Sequence, residues 1–224
     1  MKRGIVPLSV APAILDAEPD LAPDHKQAIL AALRWAWNEL VRVAPHVLRE
    51  GNEERVTFEL QKLLNNRRNG ERTAAPIKDF EVVTRGESQT TADGRLGKKP
   101  DLTFRPPVYA SVADATRWGW FVECKIVDGG ASVVAYRDEG VRRFSTGEYA
   151  ASMPSGAMLA YVRDGRDPLS SLDAVLLGNV GTKRHVGGRT PDTSESEHGR
   201  GQLPQPCVDV TLCHLWLKPR ADGT

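Results

Sequence analysis

The chain of 224 residues is long enough for one domain with a sizeable core, and its 40% hydrophobic and 26% charged residues exclude a disordered or fibrous protein. A net charge of +1 gives no reason by itself to expect a polyanionic partner. The three cysteines, Cys124, Cys207 and Cys213, are odd in number and form no CxxC pair, which argues against a disulfide framework or a zinc site and suits a reducing cytoplasm. No stretch is apolar for long enough to span a membrane, and the apolar run near the N-terminus is broken by Pro7 and Pro12, unlike a signal peptide.

Residues 1–23, rich in Pro and Ala, read as an arm without regular structure ahead of a single domain over 24–224. DHKQAILAALRWAWNELVRV (24–43) is a helix, with Asp24 as N-cap after Pro23 and Pro45 ending the run. Its apolar residues reach most of the way round, so it is expected to be covered on more than one side, by the core or by a second subunit. A second helix spans 52–66 and stops in NRRNG. The pattern then becomes strand-like at 77–85, turn-rich at 87–99, and strand-like again in DLTFR and WGWFVECKIV (118–127). Residues 136–150 read as a helix and its exit. GAMLAYVR (156–163) reads as a strand, 168–180 as a helix capped by Ser170 or Ser171, and 207–218 as a final strand. Between these last two, 181–206 is Gly, Pro, Ser and charge without apolar periodicity and reads as a mobile loop. This order of elements predicts an α/β domain with a mixed sheet.

The strand at 118–127 poses a problem. Side chains alternate between the faces of a strand, so Phe121, Glu123, Lys125 and Val127 share one face. Two charged side chains bracketed by apolar ones are costly to desolvate unless they are paired or bind a metal. Asp101, which begins the preceding strand after Pro100, supplies a second carboxylate that can converge with Glu123 on one cation. The Cys124 side chain faces away, but its backbone carbonyl can be a third oxygen ligand. Oxygen ligands with room for water and phosphate suit Mg²⁺ or Mn²⁺ better than Zn²⁺. Lys125 beside such a metal can orient a water or stabilise negative charge on a phosphorane-like transition state.

Pro100-Asp101 followed about twenty residues later by Glu123-Cys124-Lys125 resembles the PD-(D/E)XK motif of the restriction-endonuclease-like nuclease superfamily. The resemblance covers residues 52–163. It implies a mixed β-sheet flanked by helices in the order α-β-β-β-α-β, here with an added N-terminal helix. It further implies Mg²⁺-dependent hydrolysis of phosphodiester bonds, mostly of DNA. Many members also place a Glu on the first core helix facing the site. Glu53, Glu54 and Glu59 compete for that place, and at 100° per residue Glu53 shares the stripe of Val56, Leu60 and Leu64, with Glu54 in reserve.

The expected activity is therefore a cytoplasmic Mg²⁺- or Mn²⁺-dependent nuclease with Asp101, Glu123, Lys125 and Glu53 in its site, in the setting of restriction or defence against foreign DNA. The alternative is a non-catalytic nucleic-acid-binding or scaffold subunit on the same fold. Lys98, Lys99 and Arg143 are the weaker candidates for the nucleic acid backbone, beside Arg142 and Tyr149. Between Leu60 and Arg105 ten Lys and Arg face six acids, a local surplus that can favour phosphate. Specificity would come from loops, a homodimer or a partner protein. The five histidines show no ligand spacing and receive no role.

Overall fold

The computed structural model describes residues 17–69, 80–84, 99–106, 118–128, 130–148, 150–167, 169–177, 182–187, 191–201, 203 and 209–219. Three helices come first: α1 (Pro23–Val43), α2 (Pro45–Glu50) and α3 (Glu53–Arg68). Pro23 occupies the first turn of α1, where its missing N–H costs nothing. Asp24 is inside that turn rather than its cap, where its carboxylate still complements the helix dipole. Pro45 ends α1 and starts α2 for the same reason. Asn52 caps α3, its side chain accepting the Arg55 N–H at 2.9 Å.

The strands are β1 (Glu81–Thr84), β2 (Leu102–Arg105), β3 (Trp120–Ile126), β4 (Ser155–Tyr161), β5 (Thr182–Gly187), β6 (Thr193–His198) and β7 (Val210–Leu217). They form one seven-stranded mixed sheet in the order β1-β2-β3-β4-β7-β6-β5. Parallel pairing is confined to β3, β4 and β7; the outer pairs are antiparallel. β4 is buried along its whole length, which is why SGAMLAY is an unbroken run of small and apolar residues rather than an alternating one.

The two faces are covered differently. On one, Cys124 and Tyr161 lie under α1 and α3: Trp37 stacks on Tyr161 at 5.6 Å, and the Thr57 hydroxyl meets the Tyr161 hydroxyl at 3.0 Å. On the other, Glu123, Met158 and His214 stand side by side on β3, β4 and β7. They lie beneath a helix that begins at Gly130, earlier than expected. It runs as α4 (Gly130–Ala135), a wider π turn over Tyr136–Val141, and α5 (Arg142–Ser145). A last helix, α6 (Leu169–Leu177), contains Ser170 and Ser171 instead of being capped by them.

The expected mobile loop at 181–206 is corrected in its described part. Residues 182–187 and 193–198 form the β5–β6 hairpin, and β6 pairs with β7 from Thr193 to His198. TSESEH alternates strictly, with Ser194, Ser196 and His198 buried and Glu195 and Glu197 exposed. The inward face is polar, so no apolar periodicity announced the strand. Hydrogen bonds make that burial affordable. Arg200 is buried as well, its guanidinium donating to the carbonyls of Phe144, Ala150, Ala151 and Met153. Of the expected arm, the described end at 17–22 has no regular structure but is tied down. Trp118 donates to the Pro19 carbonyl at 2.9 Å, and Leu21 is buried. Among the described residues no helix is long and apolar enough to cross a membrane.

Candidate active site

β3 runs past the end of β2. Their pairing stops at Leu102 opposite Val122, so Glu123 to Ile126 have no β2 backbone beside them. The exposed edge amides are taken by side chains instead. Asp101, the residue just before β2, accepts the Cys124 N–H at 2.8 Å, and Glu53 from the first turn of α3 accepts the Ile126 N–H at 3.4 Å. In an antiparallel pair the N–H and C=O of one residue leave on the same side of the strand. The Cys124 carbonyl therefore opens on the same edge as Asp101.

Glu123 and Lys125 point to the face covered by the 130–145 helix. The Glu123 side chain is 0% exposed, and its Oε1 accepts from Lys125 Nζ at 3.2 Å and from Arg143 Nη1. Its other oxygen, Oε2, is buried with no hydrogen-bond partner. Lys125 Nζ also donates to Glu53 Oε1 at 2.7 Å, so Glu53 reaches round the open strand edge from the opposite layer. The helix comes this close because position 140 is glycine. A Cβ there would lie 2.3 Å from Met158 Cε and 3.8 Å from Glu123 Cγ. Arg143, three residues on, shares that helix face.

The electrostatics follow from this crowding. Burial, then the neighbouring Asp101 charge, push the Glu123 carboxyl up to about 8, against the pull of Lys125 and Arg143. Burial would lower Lys125, but the Glu123, Glu53 and Asp101 carboxylates outweigh it and leave the amine raised and protonated at neutral pH. Three carboxyl groups, that of Glu123 holding its proton at neutral pH, thus meet two cations around one buried oxygen that lacks a partner.

Asp101, Glu123, Lys125 and Glu53 are brought together. Glu54, held in reserve, is exposed, and Glu59 pairs with Arg55 and Lys62 along α3. The Cys124 thiol lies on the far face, where burial raises its pKa well above the ordinary value. Arg143, expected to meet nucleic acid, is on Glu123. Lys99 and Arg142 are exposed. Lys98 and Tyr149 lie outside the described residues. The histidines, given no role from sequence, include two in a buried chain: Tyr136 to His214 at 2.8 Å, His214 to Ser196 at 2.7 Å and Ser196 to His198 at 2.6 Å. The period-two spacing of Ser194, Ser196 and His198 was the one signal that could have placed them on a shared inward face.

Among the described residues, no three His, Cys, Asp or Glu side chains are gathered as a ready metal cage. The donors here are two carboxylates and a backbone carbonyl, all hard oxygens, and one carboxylate oxygen is unsatisfied. That set fits Mg²⁺ or Mn²⁺, which keep several positions for water or phosphate. No protein-family model, curated protein or solved structure matches the chain.

Proposed function

We propose that this chain is a Mg²⁺- or Mn²⁺-dependent nuclease of the restriction-endonuclease-like class that hydrolyses phosphodiester bonds of DNA. The observation that carries the reading is the meeting of Asp101, Glu123 and Lys125 at the open end of β3, with a buried Glu123 oxygen lacking a partner. The run α3-β1-β2-β3-helix-β4 supports it, being the order that the motif implies. Asp101, Glu123 and the Cys124 carbonyl would hold the metal. Bound there, the metal would lower the pKa of a water and neutralise phosphate charge.

The chain's own residues divide the remaining work. Lys125 keeps its proton at neutral pH, so it acts as a positively charged donor and not as the base. Its ammonium can hold the attacking water or stabilise charge developing on a phosphate oxygen. Glu53 positions it by fixing Nζ from the side opposite Glu123. Substrate reaches the site from the β3 edge, where the Glu53 side chain is 34% exposed. Restriction or defence against foreign DNA is the setting that such folds commonly serve, by analogy alone.

A non-catalytic nucleic-acid-binding subunit is the second reading, favoured by Arg143 and Lys125 both occupying one of the two Glu123 oxygens. Plasmid cleavage separates the two. The nuclease should cut in Mg²⁺ or Mn²⁺ and stop in EDTA. Asp101→Asn should lose both cleavage and Mn²⁺ binding, whereas Lys125→Ala should lose cleavage and keep Mn²⁺ binding by calorimetry. Cutting that persists in EDTA would overturn the metal mechanism. Mn²⁺ binding without cleavage of DNA or RNA would favour the second reading.

A further inference from the structure

The two cations on Glu123 are tethered very differently. Lys125 is two residues away on the same strand, its side chain is 9% exposed, and Glu53 holds it from the other side. Arg143 comes from α5, a four-residue segment at the end of its helix, and its side chain is 21% exposed. The chain leaves that helix at once, through Thr146 and Gly147, the latter at φ 73°. Lys125 is shared between two carboxyl groups and 9% exposed, while Arg143 reaches Glu123 on a long, unbranched stem that is 21% exposed.

We propose, resting on the nuclease reading above, that Arg143 is a resting partner of Glu123: it holds that carboxyl group until a divalent cation takes it, and then turns to a non-bridging phosphate oxygen of the substrate. A guanidinium and a divalent cation on the same carboxylate repel each other, and little water is present to screen them. Arrival of the metal therefore favours release of Arg143. Charge balance points to where it goes. Three carboxylates, Lys125, Arg143 and a divalent cation leave one positive charge over, which one phosphodiester cancels. Planar guanidinium groups suit phosphate as well as carboxylate. Arg143 thus weakens metal binding in the free protein and strengthens it when nucleic acid is present, so the two ligands favour each other.

The test is Mn²⁺ calorimetry on wild type and Arg143→Gln, each with and without a phosphorothioate DNA duplex that resists cleavage. Arg143→Gln should bind Mn²⁺ more tightly than wild type without DNA, by a factor in the ~5- to 150-fold range of ordinary coupling. The duplex should tighten Mn²⁺ binding to wild type by a larger factor than it tightens binding to the variant, and an equal factor would overturn the proposal. Equal Mn²⁺ affinity of the two proteins without DNA would overturn the role of Arg143 and leave the nuclease reading standing. Failure of both to bind Mn²⁺ would overturn the nuclease reading and this proposal with it. Arginine side-chain NMR of the unaltered protein covers the case of a variant that does not fold. Mg²⁺ should shift the Arg143 guanidinium signal and speed its proton exchange, and a signal unmoved by saturating Mg²⁺ would overturn the proposal.

Discussion

Two buried polar assemblies lie on the same face of the sheet, beneath the same helix, and they are built on opposite principles. Tyr136, His214, Ser196 and His198 form a chain of hydrogen bonds between groups that can all be neutral, and none of their side-chain atoms is among the buried ones left without a partner. Asp101, Glu123, Lys125, Arg143 and Glu53 form a cluster of charges, with Glu123 Oε2 unsatisfied and the Glu123 carboxyl raised to about 8. The first assembly contains its own solution and needs nothing further. The second is incomplete as it stands, which is expected of a site that spends stability on a ligand or a reaction.

Glu123→Gln should give the largest effect. Partners one layer outside a metal site cost ~10- to 100-fold when changed, and on the proposed reading of Glu123 as a direct ligand its loss should exceed that in cleavage rate. Stability should move the other way. The folded chain holds a proton on Glu123 between its ordinary 4.5 and about 8, where the unfolded chain has released it. Metal-free wild type should therefore lose stability as pH rises through that window, and Glu123→Gln should flatten the decline. Melting curves at pH 5 and pH 8 in EDTA check this, and an equal slope in both proteins would refute the assignment.

Glu53→Gln comes next. It should slow cleavage ~10- to 100-fold, as outer-layer partners do, while Mn²⁺ affinity stays close to wild type. Without that carboxylate the Lys125 pKa falls, so the alkaline limit of activity should shift to lower pH. An unchanged pH profile would leave Glu53 as no more than a cap for the Ile126 amide.

Ser196→Ala is the converse test and should have the smallest effect on catalysis. It removes the hydroxyl that both buried imidazoles meet, and losing a buried hydrogen-bond partner costs about 1–3 kcal/mol. The melting temperature should drop and cleavage by the folded protein should not change. A loss of activity without a loss of stability would erase the distinction between the two assemblies.

The charged cluster was the more legible of the two. Glu123 and Lys125 stand out because charge interrupts an apolar strand, and Asp101 because it opens the strand before. Glu53 follows from the helical stripe it shares with Leu60. Arg143 could be placed near the site but not on Glu123, since nothing in a helix sequence tells which acid its arginine meets. The neutral chain was hidden by the same chemistry that makes it stable. Serine and histidine facing inward in TSESEH look like any polar loop until their partners on β7 and the π turn are known. The early start of the helix at Gly130 was missed for a related reason. The π turn over Tyr136–Val141 breaks the 3.6-residue period that would have joined the segment before Tyr136 to the one after it.

The position of β7 bears on how the protein is made. It follows every other strand in sequence, yet it lies inside the sheet between β4 and β6. While the chain emerges from the ribosome, β4 can pair with β3 on one side only. Its other edge, in a strand built to be buried throughout, stays open until residues 210–217 arrive. A nascent chain halted before β7 would carry an apolar, unpaired strand, the kind of surface that recruits chaperones or aggregates. Closure of this part of the sheet thus waits for β7, when the amide of Val162 finds the carbonyl of Leu217.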